Sequence, residues 1–251
     1  MTAPALETHG LCKSFGALTV ANQIDFCLER GARHALIGPN GAGKTTFVEL
    51  VTGALRPNAG HIRLDGADVT QLPQAARVKR GLVRTFQITA LFPRLSILEN
   101  VALAVCERRG IAGGLVRPAG HHRTAIDEAH DLLERVGLED EALRPVNTLA
   151  YGSQRLVEIA VSLALSPKVL LLDEPAAGVP SGESGTIIAV IERLPPEIAL
   201  LIIEHDMDLV FRVAQRITVM VQGGILVEGR PEEIARDPEV RRVYLGERAP
   251  S

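Results

Sequence analysis

The stretch Ala35-Leu36-Ile37-Gly38-Pro39-Asn40-Gly41-Ala42-Gly43-Lys44-Thr45-Thr46-Phe47 decides the fold. Three apolar residues run into G-x-x-x-x-G-K-T, after which Phe47, Leu50, Val51 and Ala54 recur at helical spacing. Pro57-Asn58-Ala59-Gly60 is where that helix is expected to stop. Strand, glycine-rich turn and helix in this order make a phosphate-binding loop. The glycines let successive backbone N–H groups curl around a phosphate, and the helix N-terminus adds partial positive charge. Lys44 can reach β- and γ-phosphates, and the Thr45 hydroxyl suits Mg²⁺. An ordinary Gly-rich turn with an exposed lysine is the plain alternative; the strand-to-helix setting of the whole octapeptide argues against it.

Outward from the loop, the last third carries three aliphatic runs that end in polar clusters. Val169-Leu170-Leu171-Leu172 ends on Asp173-Glu174, Ala199 to Ile203 on Glu204-His205-Asp206, and Ile217 to Val221 on Gln222-Gly223-Gly224. Apolar runs without alternation, separated by helical segments, predict a parallel sheet covered on both faces, with ligands at its carboxyl ends. Asp173 and Glu174 then stand at a strand tip, where one carboxylate can hold a metal shell and the other polarise a water. A helix cap or a solvated turn is the alternative, and the phosphate loop decides against it. Toward the N-terminus, Ile24 to Leu28 and His61 to Leu64 alternate as strands, the second ending at a hairpin-type Asp65-Gly66 turn. The middle is helical. Ile126, Ala129, Leu133 and Val136 mark one face before Gly137, and Leu156, Ile159, Ala160, Leu163 and Ala164 mark another. Ahead of them, the glycine-rich, basic stretch 108–123 has no period and reads as a mobile surface loop.

With 251 residues, 46% of them hydrophobic, the chain can bury a large core. A formal charge of -3 and only eight aromatics (six Phe, two Tyr) argue against a nucleic-acid binder. Cys12, Cys27 and Cys106 are scattered, and read as reduced, buried thiols. His121-His122 finds no third ligand at useful spacing. No apolar run approaches membrane-spanning length, and the first residues lack the basic and apolar regions of a signal peptide.

With these motifs in this order, the chain resembles the ATP-binding subunits of ABC transporters, over nearly its whole length. The resemblance implies an α/β P-loop NTPase core with a mixed, mostly parallel sheet, an N-terminal antiparallel β subdomain and an inserted α-helical subdomain. It places the ATPase core at about 1–87 and 161–228, the helical subdomain at 88–160 and a tail at 229–251, all within one nucleotide-binding domain. It implies ATP as substrate with Mg²⁺. Phe15 looks like the aromatic that stacks on adenine, with Val20 beside it. Asn40, Gly41, Ala42, Gly43, Lys44, Thr45 and Thr46 would hold the phosphates. Gln87, in Arg84-Thr85-Phe86-Gln87, would touch the metal with Thr45 and Asp173, and would sense the membrane partner. Glu174 resembles the catalytic glutamate and His205 the switch histidine, although each residue alone would pass as an ordinary strand-end group.

Leu149-Ala150-Tyr151-Gly152-Ser153-Gln154 stands where the family has its signature motif, so Ala150, Tyr151 and Gly152 would reach the nucleotide of a second ATPase subunit. Ala150 replaces the usual serine, which the matched subfamily tolerates, while Ser153 replaces the usual glutamine and Pro180 the usual aspartate of the D-loop; these last two imply a weakened contribution in trans. Val83-Arg84-Thr85-Phe86-Gln87, Asp173 to Gly178, Glu204 to Met207 and the Arg242 to Gly246 ending are similar to importers of branched-chain and other hydrophobic amino acids. Within them the chain is similar to the longer ATPase subunit. Systems for amides, urea or lipopolysaccharide export are the alternatives. The implied partners are a second ATPase subunit (a shorter homologous chain, or another copy of this one), two integral membrane permease subunits and, indirectly, an extracytoplasmic substrate-binding protein. The implied place is the cytoplasmic face of the cell membrane, peripherally bound. A soluble ATPase for DNA or ribosomes would need a long coiled-coil insertion or two cassettes, and this sequence shows neither; a small-molecule kinase would need an Arg-rich lid and would have no reason for the signature or switch motifs.

Overall fold

The computed structural model describes residues 3–85, 91–111 and 123–245. In chain order it forms β1 (Leu6–Phe15), β2 (Leu18–Leu28), β3 (Arg33–Ile37), α1 (Lys44–Thr52), β4 (Ala59–Leu64), β5 (Ala67–Asp68), α2 (Gln74–Val78) and β6 (Leu82–Arg84). There follow α3 (Ile97–Arg108), α4 (Arg123–Val136), α5 (Tyr151–Ala164), β7 (Val169–Asp173), α6 (Ser181–Glu192), β8 (Ala199–Ile203), α7 (Met207–Val213), β9 (Arg216–Val221), β10 (Gly224–Gly229), α8 (Pro231–Arg236) and α9 (Pro238–Leu245). The chain makes two compact units: residues 1–82, 168–174 and 195–251, and residues 83–167 and 175–194.

The first unit holds an antiparallel sheet of order β2-β1-β4-β5 and a second sheet whose strands run in the order β10-β9-β3-β8-β7. In the latter, β3 pairs in parallel with β8 and β9, and β7 with β8, while β10 returns antiparallel to β9. β7 and β8 are buried at every residue, as their unbroken aliphatic runs require. The pleat of β3 serves two cores. Leu36 points into a cluster with Phe47, Leu50, Leu171 and Leu201, whereas Ala35 and Ile37 pack with Val210, Val219 and Ile234. Asp65 and Gly66 both take positive φ, 51° and 79°, which makes the two-residue turn between Leu64 and Ala67.

Helix α1 ends earlier than its periodicity suggests. Gly53 adopts φ 82° and returns its N–H to the carbonyls of Glu49 and Leu50, so Ala54 is exposed and the helix stops before Pro57. Arg77, one of the largest fully buried side chains, also reaches the carbonyls at that end. Its guanidinium donates to the carbonyls of Leu50 (2.8 Å), Val51 (2.6 Å), Thr70 (2.9 Å) and Leu72 (3.0 Å). Burial lowers its pKa to about 10, so it stays charged at neutral pH. Arg77→Met leaves those acceptors without their donor, and the expected loss of stability in urea unfolding is at least ~2 kcal/mol. A loss below about 0.5 kcal/mol would mean the carbonyls are satisfied without it.

In the second unit α3, α4 and α5 pack against one another, with α6 against α5. A capping box between Ser96 and Glu99 starts α3. The buried face of α4 is Ala125, Ala129, Leu132, Leu133 and Val136; Ile126, expected on it, is only half-buried because Ala125 takes the inward position. Gly137, at φ 74°, ends the helix as expected. Most of the glycine-rich stretch, residues 112–122 with His121-His122, lies outside the described residues. Its flanks are joined by Glu128, which pairs with Arg108 (2.6 Å) and Arg109 (2.5 Å).

The cysteines are free but not buried. Cys27 is exposed, and Cys12 and Cys106 are half-buried. Cys27 alternates with buried Phe26 and Leu28, which puts it on the outer face of β2. Partial desolvation and the Glu29 carboxylate raise its pKa to about 11, so the thiolate is scarce at pH 8. Its alkylation should be at least ~10-fold slower in the native than in the unfolded chain; equal rates would contradict the shift. Among the described residues, no helix is long and apolar enough to cross a membrane.

Candidate active site

The loop between β3 and α1 is pressed into shape by its neighbours. A Cβ on Gly38 would strike the Met220 carbonyl, and one on Gly43 would lie 2.6 Å from the Val20 carbonyl. Gly43 also holds φ 101°, where glycine is favoured. The Ala42 carbonyl accepts from Gly223 N–H (2.9 Å), and the Gly223 carbonyl from Asn22 N–H (2.8 Å), so the β9–β10 turn clamps the loop against β2. Val20 thus bears on the loop through its backbone. Lys44 Nζ donates to the carbonyls of Gly38 (2.6 Å) and Pro39 (3.2 Å). Burial lowers the Lys44 pKa, while the carboxylates of Glu174 and Asp173 pull it back up. No side chain caps α1, and no acidic residue stands in its first turn. A helix start with a lysine and no acid of its own fits an anionic phosphate chain. Asn40, Gly41 and Thr45 are exposed, Thr46 is half-buried and Ala42 is buried.

Opposite the lysine, β7 carries buried Asp173 to its tip and Glu174 just beyond. Glu174 takes φ 48° and donates its N–H to the Ile203 carbonyl at 2.9 Å. A left-handed non-glycine residue costs roughly 1 kcal/mol, and such strain gathers where a side chain must be aimed. His205, at the exit of β8, is two-thirds exposed, with Nδ1 3.7 Å from Glu174 Oε1. Asp206 Oδ1 caps α7 by accepting from Asp208 and Leu209. The structure therefore gathers Lys44, Asp173, Glu174 and His205 at the carboxyl ends of β3, β7 and β8, as the strand-end polar clusters predict. Among the described residues no group of three His, Cys, Asp or Glu could hold a metal by itself, so Thr45 and Asp173 would share Mg²⁺ with phosphate oxygens.

Phe15 ends β1, 52% exposed, as a stacking platform needs and a core residue does not; Lys13 Nζ lies 5.2 Å from its ring centroid. Gln87 falls outside the described residues. Buried Glu204 was not singled out by its sequence, although an acid between an aliphatic strand and a histidine is an available signal.

The second unit holds the signature segment. Ala150 is the N-cap of α5 and offers no side-chain cap, so the first amides of the helix receive no bond from it. The Tyr151 hydroxyl accepts from Arg155 at 2.6 Å, and its ring lies so close to Gly178 that a Cβ there would be 3.3 Å away. A Cβ on Gly152 would lie against the Glu183 carboxylate, an exposed side chain that would have to turn aside. Pro180 caps α6, its carbonyl accepting from Glu183 N–H at 2.8 Å.

These features match known proteins over almost the whole chain. The ABC transporter family profile matches residues 21–177, and the profile of the branched-chain amino acid ATP-binding cassette transporter matches residues 225–250. The chain is 41% identical to the high-affinity branched-chain amino acid transport ATP-binding protein BraF of Pseudomonas aeruginosa, over 98% of its own length and 100% of that protein. It is 39% identical, with the same coverage, to the corresponding protein LivG of Escherichia coli K12. The ADP conformation of MJ1267, an ATP-binding cassette of an ABC transporter, superposes with a TM-score of 0.85 at 30% identity, covering 98% of this chain and all of the other. The chain belongs to the ABC transporter family, as one of its nucleotide-binding, ATP-hydrolysing cassettes.

Proposed function

We propose that this cassette powers an importer of branched-chain or other hydrophobic amino acids, and that it hydrolyses ATP at the strand ends where Lys44, Asp173, Glu174 and His205 meet. That meeting carries the mechanism. The names of the relatives and the C-terminal profile support the substrate class. Residues 1–251 act as one nucleotide-binding domain, with core segments 1–87 and 161–228, a helical part at 88–160 and a tail at 229–251.

Adenine stacks on Phe15 beside Val20, while Lys44 and the amides of residues 40–46 hold the β- and γ-phosphates. Glu174 orients a water and accepts its proton as the water oxygen attacks the γ-phosphorus. The bond to the β-phosphate oxygen breaks, and Lys44 neutralises the charge left on ADP. His205 faces the charge that develops on the γ-phosphate oxygens. Thr45 and Asp173, with Gln87 as the family resemblance implies, would hold Mg²⁺, which would supply further neutralisation. A second ATPase subunit completes the site with the N-terminus of its signature helix, and Ala150, Tyr151 and Gly152 do the same for that subunit's nucleotide. Two membrane permease subunits and an external substrate-binding protein complete the transporter, with this chain peripheral on its cytoplasmic face.

In cells lacking this chain, leucine uptake should fall and be restored by the wild type but not by Lys44→Ala; unchanged uptake would remove the importer assignment. Ser153 and Pro180 further imply that the chain closes poorly on its own copy. Light scattering of Glu174→Gln with bound ATP-Mg²⁺ should therefore give the 26.9 kDa monomer, so that its mate is a different chain. A mass that doubles only with ATP would show a homodimer instead.

A further inference from the structure

Tyr151 stands at the first position of α5 with its ring 39% exposed, so core packing is not what holds it. The phenol oxygen accepts from Arg155 at 2.6 Å; a guanidinium has only donors, so the direction of this bond is fixed. Another arm of Arg155 donates to Glu158 at 2.8 Å, and both side chains of that pair are 7% exposed. Removing either partner of a buried ion pair leaves an uncompensated charge, so Arg155 is a fixed anchor one turn along the helix. The Tyr151 ring edge lies against Gly178: a Cβ there would be 3.3 Å from Cε1 and 3.8 Å from the phenol oxygen. Gly178 holds φ 74°, and the Val179 N–H closes a turn on the Ala176 carbonyl at 3.2 Å. That turn begins two residues after Glu174 in the chain.

We propose that Tyr151 is a positioning residue: anchored by Arg155, its ring braces the turn at residues 176–179 against the first turn of α5, and it serves the mate's nucleotide only through its backbone N–H. Ala150 supplies no side-chain cap, so the first amides of α5 are kept for a phosphate rather than spent on a cap. The brace ties that helix start to the turn that follows Glu174. Loosening it misplaces groups in the closed pair without removing any contact to ATP, and small misplacements of that kind are costly in rate. The brace bears on catalysis only if the start of α5 serves the mate's nucleotide, which is the reading proposed above.

The test compares Ala150→Asp, Tyr151→Phe and Tyr151→Ala in the full chain, reading kcat and KM for ATP in the assembled transporter and amide hydrogen exchange in the free chain. Phe keeps the ring against Gly178 but loses the bond to Arg155; Ala loses both. The expected kcat is about threefold lower for Phe and about tenfold lower for Ala, with KM within about twofold of wild type. Exchange of the Val179 amide should quicken in both, while amides in the second half of α5 keep their wild-type rates. Ala150→Asp caps the helix with its own carboxylate and sets a negative charge against the phosphate, so turnover should fall at least ~10-fold. If Ala150→Asp keeps wild-type turnover, the underlying reading of α5 fails. If it loses turnover while Tyr151→Ala keeps wild-type kcat and Val179 exchange, the inference about Tyr151 alone is overturned. A KM raised tenfold at unchanged kcat would overturn it too, since the side chain would then touch nucleotide, as would a Phe variant as slow as Ala. Should Tyr151→Ala fail to fold, Tyr151→Phe decides: wild-type kcat with wild-type Val179 exchange contradicts the brace.

Discussion

Glu174→Gln is expected to lower kcat for ATP hydrolysis at least ~100-fold while ATP still binds, because a positioned general base contributes about 10²–10⁴-fold. The substitution keeps shape and backbone: glutamine can occupy the same left-handed conformation and return its N–H to the Ile203 carbonyl. It removes the group that takes the proton of water. Binding should survive because, in the proposed site, the phosphate contacts fall to Lys44 and the amides of the loop before α1, which Glu174 does not build. Losing a carboxylate near the lysine also removes a like charge facing the incoming phosphates. Phosphate release under saturating ATP, beside an equilibrium ATP titration, checks both halves. A variant that keeps most of its turnover would show that another group accepts the proton.

Lys44→Ala is expected to abolish productive ATP binding, weakening it by at least ~100-fold, since hydrogen bonds to charged groups contribute about 1.5–3 kcal/mol each. The ammonium is already sited inside the loop, anchored by the Gly38 and Pro39 carbonyls at 2.6 and 3.2 Å. A triphosphate would exchange those neutral acceptors for anionic ones. Alanine is a good helix former at the first position of α1, so the helix persists and the loss is one of charge. Unchanged affinity in a nucleotide titration would count against the loop as the phosphate site.

Much of this was legible in the sequence because it rests on local rules. The glycine spacing of residues 38–43 dictates a loop that admits no side chain at Gly38 or Gly43, and the collisions of a Cβ there with the Met220 and Val20 carbonyls are the physical content of that motif. Unbroken aliphatic runs at β7 and β8 mark strands buried on both faces, and their polar ends mark the site. What the sequence hid depends on tertiary partners. The end of α1 at Gly53 is set by a left-handed glycine packed against Arg77 and cannot be read from apolar spacing. Strand β10 has a weak sequence signal because most of its residues are half-buried and it pairs antiparallel with β9, without the apolar run that marks the central strands. Cys27 was expected inside, but strand alternation turns it outward. The positive φ of Glu174 carries no sequence signal, since glutamate rarely adopts it and does so here only because the Ile203 carbonyl receives its N–H.

Following γ-labelled ATP to its products in the assembled transporter tests hydrolysis most directly. The account predicts that the label appears as inorganic phosphate, that its release requires Lys44, and that Glu174→Gln stops it with ATP still bound. Label appearing on a small-molecule acceptor, with no net release of phosphate, would mean that the site transfers the phosphoryl group rather than giving it to water, and would contradict the account.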